Sequence, residues 1–96
     1  MLQTIINAIR NREVLSLTYK GIPRIVEPHT VGVSTKGNDV LSCYQTHGDH
    51  TKDGHEWDLL TVEKITNLSK TGDSFVGTRP KYSRNDSRMV KIYAEL

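Results

Sequence analysis

Three of the four histidines, His47, His50 and His55, fall in one short segment, CYQTHGDHTKDGHEWD (43–58), together with Asp49, Asp53 and Asp58. Imidazoles and carboxylates at such spacing can hold zinc: His47 and His50 would form a pair, and His55 with Asp49 or Asp53 would complete a tetrahedron. Structural zinc sites usually also use cysteine thiolates. The only cysteine, Cys43, lies in the apolar run before the histidines, where it reads as a small buried residue. From 47 to 55 the chain carries glycine, aspartate, threonine and lysine and almost nothing apolar. The segment therefore reads first as a polar hairpin loop, second as the rim of a ligand pocket, and third as a metal site. No cofactor is expected.

Two further groups could bind an anion. Arg24 could hold a phosphate through its planar fork while Tyr19 stacks on a base; packing of Tyr19 in the core and pairing of Arg24 with Glu27 or Glu13 is the alternative. Near the C-terminus, Arg79, Lys81, Arg84 and Arg88 are interleaved with Tyr82, a spacing suited to an anion-binding strip. Tyr44 and Trp57, the single tryptophan, flank the histidine segment and could line a pocket edge or pack in the core. Arg10, Arg12, Lys20 and Arg24 form a second basic group near the N-terminus. Catalysis finds little support. No serine–histidine–aspartate set has context, no glycine-rich loop opens a helix, and His29, a conceivable base, has no nucleophile in reach of the sequence.

The elements that must position these residues can be read from periodicity. In LQTIINAIRN (2–11), Leu2, Ile5, Ile6 and Ile9 form one apolar stripe, which predicts a helix stopped at Asn11. EVLSLTY then alternates Leu15, Leu17 and Tyr19, a half-buried strand. Residues 20–23 form a turn. RIVEPHTVGV resumes extended structure, and Pro28 within it marks a bulge or an edge position. STKGND (34–39) is a hairpin turn, VLSCYQT (40–46) a central strand, EWDLL and VEKITNL further extended segments, and SKTGDS a turn. Phe75 and Val76 read as a core anchor. The tail predicts a short helix, capped by Asn85 or Asp86, with Met89, Ile92 and Tyr93 on one face; a final strand is the competing reading.

Ninety-six residues allow one domain, which buries only about 60–65% of its unfolded surface. Hydrophobic residues make up 35%, thin for a monomer, so a homo-oligomer is expected. A net charge of +2 is mildly basic and does not mark a dedicated nucleic-acid binder. One thiol fits a reducing compartment, and the N-terminal stretch is amphipathic rather than a leader or span, so a cytoplasmic protein without membrane contact is expected. One helix and about five short strands in a meander predict a mainly β fold, a small antiparallel barrel of SH3 or Sm type with a packed helix.

The order of elements resembles the WYL domain, an SH3/Sm-like barrel of bacterial regulators. The likeness rests on the helix IINAI; on Tyr19, Gly21, Arg24, Val26 and Pro28 in the first hairpin; on VLSCY at the place of the name-giving strand; and on VEKI at the core-closing segment. It covers roughly residues 2–76, leaving a basic segment at 77–96. The Trp-Tyr-Leu triplet itself is absent, and no helix-turn-helix precedes the barrel, so the resemblance is to a free-standing domain. It implies a ligand sensor whose basic, aromatic face binds nucleotides or single-stranded nucleic acid. The combined expectation is a non-enzymatic regulatory module binding a nucleotide or short oligonucleotide through Tyr19, Arg24, Tyr44, Trp57, Arg79, Lys81, Tyr82 and Arg84. An Sm-like oligomerisation or interaction module without a small ligand is the alternative; a metal-dependent hydrolase built on His47, His50 and His55 is the third.

Overall fold

A computed structural model describes residues 1–49 and 56–96. One helix, α1 (Leu2–Asn11), precedes six strands: β1 (Glu13–Tyr19), β2 (Ile22–Ser34), β3 (Asp39–His47), β4 (Trp57–Thr61), β5 (Thr66–Ser74) and β6 (Met89–Glu95). A single 3-10 turn, Val62–Lys64, joins β4 to β5. Every pairing is antiparallel, in the order β4-β3-β2-β1-β5, with β6 on β2.

The helix forms for the reason its stripe suggests. Ile5, Ala8 and Ile9 are buried and Leu2 and Ile6 pack beside them. It ends after Asn11, where Arg12 turns left-handed (φ 54°) and its N–H reaches the carbonyls of Ala8 and Ile9. Arg12 also ties the helix end to the distant chain: its carbonyl accepts from Phe75 N–H at 2.9 Å and its guanidinium donates to Val76 O at 3.0 Å. The core gathers Leu15, Leu17 and Tyr19 of β1, Val26 and Val31 of β2, Leu41 and Cys43 of β3, Leu60, Val62 and Ile65. Each large aliphatic side chain buried there contributes about 1.5–3 kcal/mol.

β2 organises the sheet. Its first half pairs with β1 (Leu15↔Val26 to Tyr19↔Ile22) and its second half with β6 (Thr30↔Glu95 to Ser34↔Met89), while β3 runs along the other edge. Pro28 stands where β1 hands over to β6, so its missing N–H costs no ladder bond on that edge. Facing β3, the register shifts between Pro28↔Cys43 and Thr30↔Ser42, which makes His29 the extra residue of a bulge. The proline thus marks a bulge within a central strand.

Three expectations are corrected. Met89–Glu95 is a strand and not a short C-terminal helix, because the open edge of β2 offers backbone partners that an isolated terminal helix lacks. SKTGDS is no turn but the body of β5, since β1 supplies pairing from Leu15↔Lys70 to Glu13↔Ser74. Phe75 is buried, whereas Val76 is 96% exposed and anchors nothing.

Candidate ligand groove

The bulge sets the chemistry of the second face of β2, β3 and β4, the face turned away from the main apolar cluster. Glu27, His29 and Thr30 are all buried although all are polar. Tyr44 of β3 stands directly opposite Trp57 of β4, their rings 5.5 Å apart and nearly perpendicular. This face is covered by residues 75–82, which run across it before β6.

Glu27, His29 and Thr30 each find a partner in that strap. The Arg79 guanidinium lies flat against the Glu27 carboxylate, Nε at 2.7 Å and Nη2 at 2.9 Å, and sits 4.6 Å over the Tyr44 ring. The Arg79 backbone N–H donates to His29 Nε2 at 3.1 Å. That nitrogen must then be unprotonated, so the ring proton is on Nδ1, which donates to Glu27 O at 2.9 Å. Desolvation pushes the His29 pKa below its usual value. Phe75 stacks on His29 at 5.7 Å. Trp57 Nε1–H donates to Pro80 O at 3.0 Å, and the Tyr82 ring lies nearly parallel to Trp57 at 6.2 Å. The Tyr82 hydroxyl donates to Leu96 O at 3.2 Å and accepts from Thr30 Oγ1 at 3.1 Å.

Beyond Tyr82 the chain continues outward and leaves a groove of about 430 Å³ between itself and β3–β4. Trp57, Tyr82 and the Ser42 side form its floor; Lys81, Asp86 and Arg88 rise around it. Arg88 is clamped to Asp86 by two bonds of 3.0 and 2.7 Å, which holds the Asp86 carboxyl below the usual range. The groove combines aromatic surface, hydroxyls and a cation, a set able to stack a planar ring and neutralise an attached anion.

Of the residues singled out from sequence, Trp57, Asp58, Lys81, Tyr82 and Arg88 line this groove, while Tyr44 lies under the strap and Arg79 is part of it. Arg84 points elsewhere and pairs with Glu95 at 3.0 Å. Tyr19 and Arg24 belong to a separate cluster. Tyr19 is buried, its hydroxyl accepting from Thr61 N–H at 3.0 Å. Arg24 is only 11% exposed; it lies 5.4 Å over the Tyr19 ring and bonds Asp58, Gln45 and Tyr19 O, each at 3.3 Å. Its partner is thus Asp58, not Glu27 or Glu13; Glu27 takes Arg79 and Glu13 takes Lys70. Arg24 and Tyr19 cannot present a free fork and ring to a ligand from these positions.

His47 ends β3, exposed, with Nδ1 3.1 Å from Thr46 Oγ1; His50 and His55 lie outside the described residues. Among the described residues no three metal-ligating side chains converge. Cys43 is fully buried and burial pushes its thiol far up, so it is no nucleophile. No described helix is long and apolar enough to cross a membrane. Sequence reasoning named Glu27 only as a partner for Arg24 and His29 only as a conceivable base, and missed their contacts with Arg79. Their signal was two polar residues flanking a proline within an otherwise apolar strand. The chain shows no match to known family models, curated proteins or solved structures.

Proposed function

We propose that the chain is a non-enzymatic, ligand-binding regulatory module whose groove takes a nucleotide or a short single-stranded nucleic acid. One observation carries the reading: Trp57 and Tyr82 meet Lys81 in a single groove of about 430 Å³, a base-sized aromatic surface beside a cation. Lys81 is the only one of the proposed basic contacts with no acidic partner among the described residues. The WYL-like reading rests on the sequence resemblance; an SH3/Sm-type barrel would also have the strand order β4-β3-β2-β1-β5 with a 3-10 turn between β4 and β5. The proposed ligand contacts are therefore Trp57, Lys81 and Tyr82 rather than Tyr19 and Arg24.

Trp57 is the only tryptophan, so its fluorescence reports groove occupancy directly. Titration with a ten-nucleotide oligo(dT) and with mononucleotides is expected to quench it saturably, and Lys81→Glu to weaken binding about tenfold. Emission unchanged by every probe at low salt would sink the proposal.

A second reading is an oligomerising interaction module without a small ligand. It is favoured by the internal pairing of Arg24, Arg79, Arg84 and Arg88 with Asp58, Glu27, Glu95 and Asp86, which leaves little free positive charge for an anion. Native mass spectrometry separates the two: a retained small mass supports the groove ligand, a bare homo-oligomer the interaction module.

A further inference from the structure

The groove has one fixed wall, β3–β4, and one wall made by the chain that follows residue 79. The part of the second wall that carries Lys81 and Tyr82 is held by a short set of contacts from residues 75–82 to β2, β3 and β4, while Arg84, Asn85 and Arg88 are tied to Glu95 and Thr35. We infer that His29 is a proton-operated latch for this strap, so that acidification releases residues 75–82 and dismantles the groove. The inference takes the groove as the ligand site of the proposed function and adds its regulation; the release itself needs no ligand.

The argument is one of donor and acceptor geometry. With His29 neutral, Nδ1–H is spent on Glu27 O and the lone pair of Nε2 receives the Arg79 N–H. A proton can enter only at Nε2, where it would point at the Arg79 N–H 3.1 Å away, donor against donor. The imidazolium has no water to turn to, since the residue is 0% exposed and packed among Phe75, Trp57 and Tyr82. The local bond that breaks is the one that seats Arg79. The neighbours on the strap depend on the same seat: Pro80 O, which caps Trp57 Nε1, and Tyr82, which covers the Trp57 ring and bonds Thr30.

The charged and titratable groups around the ring pull in both directions. Glu27, on β2, favours the imidazolium through its carboxylate and backbone carbonyl; Arg79, on the strap, disfavours it; burial disfavours it more than either. The hydroxyl of Tyr82 approaches from the strap, while Trp57 from β4 and Phe75 carry no charge. The net direction is a lowered folded-state pKa. A base with a lowered folded pKa stabilises the closed form at neutral pH, and that stability is lost as pH falls from about 6.5 toward the folded value. The Glu27–Arg79 ion pair also holds the strap and opposes its release.

Wild type and His29→Gln should be titrated from pH 8 to 4.5 by Trp57 emission, without ligand, alongside far-ultraviolet circular dichroism. Glutamine keeps an acceptor for the Arg79 N–H and cannot take up a proton. The expected result is a red shift of wild-type emission below pH 6.5 at constant dichroism, absent in His29→Gln. Oligo(dT) affinity should fall with it, by up to about tenfold per pH unit. A flat wild-type profile, the same shift in His29→Gln, or a shift accompanied by loss of dichroism would each overturn the latch. Should the variant not fold, nuclear magnetic resonance of the wild type decides: the imidazole Cε1–H of His29 and the indole N–H of Trp57 must titrate together, and independent midpoints overturn the inference. An emission shift without oligo(dT) binding at any pH would keep the latch and remove the nucleotide reading instead.

Discussion

Arg24 shows how a residue with the right chemistry can be spent on structure. Its guanidinium is divided between Asp58, Gln45 and the Tyr19 carbonyl in a nearly closed cluster. Arg24→Ala would leave the Asp58 carboxylate, 21% exposed, without its cation, a loss of about 2–4 kcal/mol in urea unfolding. Anion binding at the groove, measured where the variant is still folded, should also weaken, because Asp58 lines the groove and is left without its cation. Glu27→Gln tests the other cluster. It removes one half of a charge-assisted pair whose arginine side chain is 41% exposed, so the expected cost is at the low end, about 1–1.5 kcal/mol. The sharper readout is Trp57 emission, which should move to the red at neutral pH as the strap loosens. At this scale the sequence announced the arginines but not their partners. Asp58 and Arg24 are far apart in sequence and meet only through the β2–β3–β4 pairing, a distance no local pattern encodes.

Elements were legible where one face was apolar and periodic. The stripe Leu2, Ile5, Ile6, Ile9 gave α1, and Leu15, Leu17, Tyr19 gave β1, because both patterns bury into the same core. The polar run SKTGDS was misread because β5 is held by backbone pairing to β1, whereas the apolar residues of MVKIYAE fit a helix face as well as a strand and the pairing to β2 decides between them. Most of β5 is exposed, so its sequence carries no burial signal at all. The β2–β6 pairing is close-fitting at Gly32, where a Cβ would run into the Lys91 carbonyl oxygen and crowd Met89 Sδ at 3.0 Å. Gly32→Ala is therefore expected to destabilise by about 2–4 kcal/mol and to strip hydrogen-exchange protection from β6 first, while β3 and β4 keep theirs.

At the scale of the molecule, the net charge of +2 already counts the carboxylates that pair with Arg24, Arg79, Arg84 and Arg88, so these four arginines offer little free positive charge to an anion. With one or two effective phosphate contacts, oligo(dT) affinity should fall only about threefold to sevenfold between 50 and 200 mM salt, from a slope of about −0.7 per contact. A steeper slope would mean that the Arg84 and Arg88 pairs open on binding. The mainly β architecture was legible as a count of short strands, but its central device was not: β2 serves two partners in turn. That device shapes how the chain reaches its native state. The β2–β3 hairpin closes over the four residues 35–38, whereas Thr30 must wait for Glu95, 65 residues on. The entropy of that closure exceeds the hairpin's by about 2.5 kcal/mol. The β1–β5 pairing, from Thr18↔Thr66 to Glu13↔Ser74, spans a comparable separation, so the sequential hairpins can form first and the docking of β5 and β6 sets the slow step of folding.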